Sequence, residues 1–209
     1  MSLCASDCFR ATPRWTNSCS IQTREGGIPY LLFFACNFKF SATVKSGLTG
    51  GDVTIGAITD YTAWRTAVQH KLISRTPEGI GSKPAASPTT ERLSSCKPEA
   101  ISNMTHTINF ASKDIDPTNL TDNDYWNSIC SNYDYYRVGW MGCDDLVYYS
   151  GDASDPGYPF SLTSIGNVIP ETNEESVSYE VAISFNERCI PYIIKVTSIN
   201  DAFIADVNS

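Results

Sequence analysis

Four aspartates, Asp114, Asp116, Asp122 and Asp124, make up the acidic constellation of this chain whose oxygen supply would suit a hard cation such as Ca2+. An EF-hand loop begun at Asp114 fails at two positions, because Asn119 stands where the sharp turn needs glycine and Tyr125 where the bidentate glutamate belongs. Asp122 and Asp124 fit better as capping residues of a helix NDYWNSIC, where their carboxylates meet the positive end of the helix dipole. The chain has 2 histidines. His106 shares a strand face with Met104 and Ile108 in the alternating run MTHTINFA and reads as a half-buried, hydrogen-bonded strand residue. His70 lies off the apolar stripe of a helix and reads as solvent-facing. Neither has a nucleophile or a carboxylate partner at recognisable spacing.

The 8 cysteines, at 4, 8, 19, 36, 96, 130, 143 and 189, include no CxxC, and the two histidines are far in sequence from any cysteine pair. They read as reduced, small buried hydrophobes, with little support for zinc. GxGxxG, Walker A, GxSxG, HExxH and kinase signatures are absent, and no pair of glycosidase carboxylates can be picked out. The expectation is a non-catalytic protein with no cofactor and no metal.

What the chain does have is rings. With 11 Tyr, 9 Phe and 4 Trp, largely among β-branched neighbours, it favours strands. Tyr125, Trp126, Tyr133, Tyr135, Tyr136, Trp140, Tyr148 and Tyr149 are too many for one side of a small sheet. Some are therefore expected at an interface, where Tyr and Trp are favoured. A sugar-binding aromatic platform is the alternative reading of the same cluster.

The elements that must position these groups can be taken in order. Residues 1–27 read as an irregular arm in which Trp15 is an anchor, either into a neighbour or onto the domain's own edge. Residues 28–44 read as one long strand, buried at first and then alternating through Phe38 and Phe40. A turn at 46–52 and a short strand at 53–58 follow. Thr59 or Asp60 then caps a helix whose stripe is Tyr61, Trp64, Val68 and Leu72. Residues 75–97, rich in Pro, Gly, Ser and Thr, read as a long loop that reaches a neighbouring copy, with Lys83, Pro84 and Pro88 at the contact.

Strands are expected at 104–111, 135–140 and 146–149, the last two joined by a turn using Gly142 and Asp144. A weak strand at 160–169 precedes SVSYEVAISF, with Val177, Tyr179, Val181, Ile183 and Phe185 on one face. Residues 190–199 form the return strand, with Pro191 placing its start at an edge, and 200–209 form a tail. The organisation is thus an arm (1–27), one β-rich domain (28–199) containing the loop at 75–97, and a tail (200–209). The fold class is mainly β, a sandwich or barrel-like pair of antiparallel sheets with two short helices.

Charge is unevenly divided. Residues 1–97 carry 11 Lys/Arg against 6 Asp/Glu, and residues 98–209 carry 4 against 17. The acidic half disfavours wrapping a phosphate backbone, and the two halves suit head-to-tail packing of identical subunits. The longest apolar run, Ile28 to Cys36, is too short to span a bilayer. The N-terminus lacks the basic and apolar regions of a signal peptide, so Asn103-Met-Thr105 and Asn119-Leu-Thr121 read as chance glycosylation triplets.

Several fragments together, ITDYTAWRTAVQHKLI, GSKP followed by LSSCKPEAISNMTHTINF, DYWNSI and CDDLVYYSG, give the stretch 55–190 a familiar order. In this it resembles virion structural proteins of tailed bacteriophages, of the tail-tube (major tail) type found in phages of Bacteroidetes-type hosts. The resemblance implies two packed antiparallel sheets with a flanking helix, and hexameric rings stacked by a long loop. It also implies a channel wall past which DNA slides without specific binding. Its partners would be itself and other virion proteins, with no membrane, in a virion assembled in the host cytoplasm. A capsid decoration or connector protein shares nearly every one of these features. The cysteine-bearing arm and the second helix depart from the simplest tube subunit.

Overall fold

Strand β1, Tyr30–Ala35, is the run YLLFFA, and the molecule is built on both of its faces. Successive side chains of a strand point to opposite sides, so a strand covered on both sides needs an unbroken apolar sequence. Leu31 and Phe33 enter one core, and Leu32 and Phe34 enter another, all at 1% exposure or less. Each such burial is worth about 1.5–3 kcal/mol. In the computed structural model the described residues are 27–91, 100–112, 120–143, 145–168, 178–187 and 190–204, with the side chains of 100–102 and 120–123 left undescribed.

The long strand expected over 28–44 breaks after Ala35. Phe38 turns back, donating its amide to the Ala35 carbonyl, and Ser41 adopts a left-handed φ of 54°. The reason is apolar demand: Phe38 and Phe40 fold into the same core as Phe34 instead of alternating out to solvent. The chain then makes a hairpin of β2, Ala42–Lys45, and β3, Asp52–Ile55. Helix α1, Tyr61–Gln69, starts as its sequence requires, with the Asp60 carboxylate accepting from the Thr62 amide. Its buried residues are Ala63, Trp64, Ala67 and Val68, and the Trp64 indole N–H donates to the Ile58 carbonyl.

Strand β4, Ile73–Arg75, is followed by β5, Ile80–Ser82, and β6, Ser87–Glu91. The expected long loop at 75–97 is therefore largely strand as far as residue 91, while 92–99 lie outside the described residues. β6 is exposed at every residue and forms by pairing along β7, Ala100–Ser112. A partner's backbone edge overrides the poor strand propensity of SPTTE, and Pro88 is tolerated because β6 lies at the border of the sheet.

Helix α2, Leu120–Asn132, begins earlier than expected. Asp122 and Asp124 thus lie inside it instead of capping it, and Asp114 and Asp116 are outside the described residues, as is most of the calcium reading. A 3-10 turn at Tyr133–Tyr135 leads into β8, Tyr136–Met141, and β9, Leu146–Tyr149, as expected. The turn between them uses a left-handed Asp145, φ 60°, with the Gly142 amide donating to the Leu146 carbonyl; Asp144 is outside the described residues.

Strands β10, Ser161–Val168, and β11, Ser178–Asn186, complete the first half of the sandwich. β11 buries Tyr179, Val181, Ile183 and Phe185, as its alternation predicts. The chain does not then return alongside β11. β12, Tyr192–Lys195, crosses to the opposite sheet and pairs with β9. The expected tail contains α3, Ile199–Ile204, which buries Ile199, Ala202 and Phe203.

The result is mainly β, with three helices among the described residues. One antiparallel sheet runs β12-β9-β8-β1-β4; the other runs β10-β11-β7-β5, with β6 also on β7. Between them lie Leu31, Phe33, Val138 and Trp140 from one side and Ile108, Phe110, Val181, Ile183 and Phe185 from the other, with Trp126 and Ile129 of α2. The far face of the β1 sheet is covered by α1, α3 and the β2-β3 hairpin, which makes three layers. Neither sheet closes into a barrel.

Candidate functional site

The aromatic cluster divides sharply once the layers are in place. Trp126 and Trp140 are each 3% exposed, stacked on Tyr179 and Tyr148 respectively. They are core residues, which corrects their expected place at an interface. Tyr125 and Tyr136 are half-buried against the same core, Tyr136 meeting Phe33 edge-on. The Tyr125 hydroxyl is interior, and burial raises its pKa well above that of a free phenol. Tyr148 and Tyr149 are half-buried. Of the ring cluster, Tyr135 and Tyr133 stand out in solvent, at 63% and 40% exposure. Pro84 and Pro88 are exposed, Lys83 is half-buried, and Trp15 lies outside the described residues. The rings converge inward because this sandwich is filled by aromatic stacks, among them Tyr158 on Phe185 at 4.5 Å.

The histidines and cysteines also find their places. His106 is more deeply buried than expected, at 1% exposure, and its ring lies parallel to Phe185 at 4.9 Å. Nε2 lies 3.2 Å from the Glu187 carbonyl, while Nδ1 is buried without a hydrogen-bond partner. Burial, followed by the charge of Lys83, lowers the His106 pKa and keeps the ring neutral. His70 is not freely solvated: it ends α1, and its Nδ1 lies 3.1 Å from the Ser46 hydroxyl. Cys36 and Cys130 are exposed and Cys143 is intermediate, none of them in a disulfide, so these three are not the buried hydrophobes expected; the other five lie outside the described residues. Among the described residues no three His, Cys, Asp or Glu side chains come together as a metal would require. No helix among them is long and apolar enough to cross a membrane.

The features that stand out on the surface are ones the sequence reading passed over. The first is β10, the outermost strand of its sheet among the described residues. Its eight residues, SLTSIGNV, include no charge and no proline, and all are exposed or half-exposed. Natural proteins usually blunt an edge of this length with lysine, proline or a cover, because its unpaired amides and carbonyls template further pairing. One irregularity, between Leu162 and Ser164, interrupts its register with β11. The second feature is a groove of about 610 Å3 at the end of the sandwich, where β5 and β12 approach each other. Its rim carries Ile190 at 76% and Ile193 at 41% exposure. The signal for β10 was present in the absence of charge across 161–168, but it resembled weak propensity more than an unprotected edge.

No family model matches this sequence, and no curated protein matches it. Among solved structures, a chain from a structure described as "Virion of native gene transfer agent (GTA) particle" is similar. It shares 15% identity with this chain, with a TM-score of 0.31, over 55% of this chain and 82% of that one.

Proposed function

We propose that this protein is a non-catalytic virion structural subunit that self-assembles, as a tail-tube protein whose stacked rings enclose a DNA passage. The observation that carries the self-assembly is β10: a long, uncharged, proline-free edge strand open to a second chain. A subunit that pairs this edge with a strand of its neighbour continues the sheet from copy to copy. Such a contact is head-to-tail, and it closes into a ring when the rotation per subunit divides a full turn. The resemblance of residues 55–190 to tail-tube proteins supports reading the assembly as a tail tube. The strongly acidic second half of the chain suits a channel in which DNA moves without being held.

The test is assembly itself. Purified protein at high concentration is expected to form rings or tubes in negative-stain images, and Thr163→Lys/Gly166→Lys is expected to leave a folded monomer. Both sites are exposed, so the core is untouched. A protein that stays monomeric at every concentration overturns the proposal. Discs or spikes of another geometry would point to a decoration or connector protein. A carbohydrate-binding module is less favoured, because its platform loses Trp126 and Trp140 to the core.

A further inference from the structure

The groove between β5 and β12 is where the N-terminal segment joins the domain. Gly27 lines it, with φ at +116°, and Ile28 is fixed beside it by two backbone hydrogen bonds with Gly81, of 3.1 and 2.9 Å. The rim is apolar and uncovered: Ile190 is 76% exposed and Ile193 41%. Trp140 and Tyr148 also line it, their rings stacked at 5.3 Å. Among the described residues that line it, the charged one is Lys83, whose partial burial lowers the ammonium pKa. An apolar wall with one partly desolvated cation selects a large aromatic ring, since an indole face is the best partner for an ammonium. A volume of about 610 Å3 readily admits one.

We propose that the occupant is the chain's own segment 1–26, seated by Trp15. Eleven residues lie between Trp15 and Gly27, a contour of about 40 Å if extended, so the indole can fold back onto the groove from which its own segment departs. Tethering at the groove wall makes this binding intramolecular, so it needs no second chain and does not depend on protein concentration. Docking covers Ile190 and Ile193 and places the indole beside Lys83. The inference stands on the groove and the tether and does not depend on the assembly proposed above.

Tryptophan fluorescence of the full chain tests it directly. Trp64, Trp126 and Trp140 are at most 3% exposed, so the difference between the native chain and Trp15→Phe isolates the emission of Trp15. That difference spectrum is expected to be blue-shifted and shielded from acrylamide at concentrations where the chain is monomeric. Ile190→Asp, at a site too exposed to disturb folding, is expected to shift it to the red and to raise its quenching, while Trp64 and Trp126, which do not line the groove, stay as they were. Lys83→Ala is expected to weaken the shielding in the same direction. The proposal is overturned if Trp15 already emits as a water-exposed indole, or if its shielding survives Ile190→Asp. Shielding that appears only on self-association also overturns it, and assigns the segment to a second copy.

Discussion

Protonating His106 puts a positive charge on a ring that is 1% exposed and already has an ammonium for a neighbour. It packs flat on Phe185 of β11, faces the Lys83 ammonium beyond β5, and meets Glu187 through the backbone carbonyl at Nε2. Its folded-state pKa lies below the unfolded value of about 6.5, so the unfolded chain binds the proton more readily. The contribution of the neutral ring is therefore fully present above about pH 6.5 and is lost as pH falls below that value. We expect the melting temperature to drop between pH 7.5 and 5.5, and to drop less in His106→Phe, which keeps the stack and removes the titration. Equal slopes in the two proteins would refute this. At this scale the sequence was half legible. The alternation around His106 correctly placed it on the inner face of a strand, but its depth depended on Phe185, which lies 79 positions away. Trp126 and Trp140 were misjudged for the same reason, since a ring count cannot say which sheet will close over it.

Among elements, β8 shows how tightly it is held between its two neighbours in one sheet, β1 and β9. A Cβ added at Gly139 would lie 2.9 Å from the Phe34 ring and 2.9 Å from the Tyr148 carbonyl, and both sit in packed strands with nowhere to move. Gly139→Ala is expected to cost about 1–3 kcal/mol, read as a lower urea midpoint at unchanged slope. Elements carrying their own signal, such as α1 with its Asp60 cap, β8, β9 and β11, were readable from periodicity. Those formed by a neighbour's edge were not. β6 exists because β7 runs beside it, α3 because the far face of β1 needed cover, and the break after Ala35 because Phe38 was worth more inside.

For the whole molecule, the mainly β class followed from the aromatic and β-branched runs, whereas the strand order did not. The crossing of β12 to the β9 edge is a long-range choice with no local code. Assembly is the property to test at this scale. If β10 pairs between subunits through backbone hydrogen bonds, ring formation should persist in high salt while Thr163→Lys/Gly166→Lys abolishes it. Salt-sensitive assembly would instead implicate the opposed charges of the two halves of the chain, read by sedimentation across a salt series.

β1 belongs to both cores at once. A helical layer and a sandwich that each owned their strands could melt one after the other. Here, whichever layer loosens first withdraws support from the six residues on which the other rests, so the two melt as one cooperative unit. Hydrogen exchange should find the β1 amides among the slowest in the chain, released only by global opening, and calorimetry should show a single transition. A change such as Trp64→Ala, made on the helix side, should then lower the protection of β11 on the far side of the molecule by the same free energy as its own.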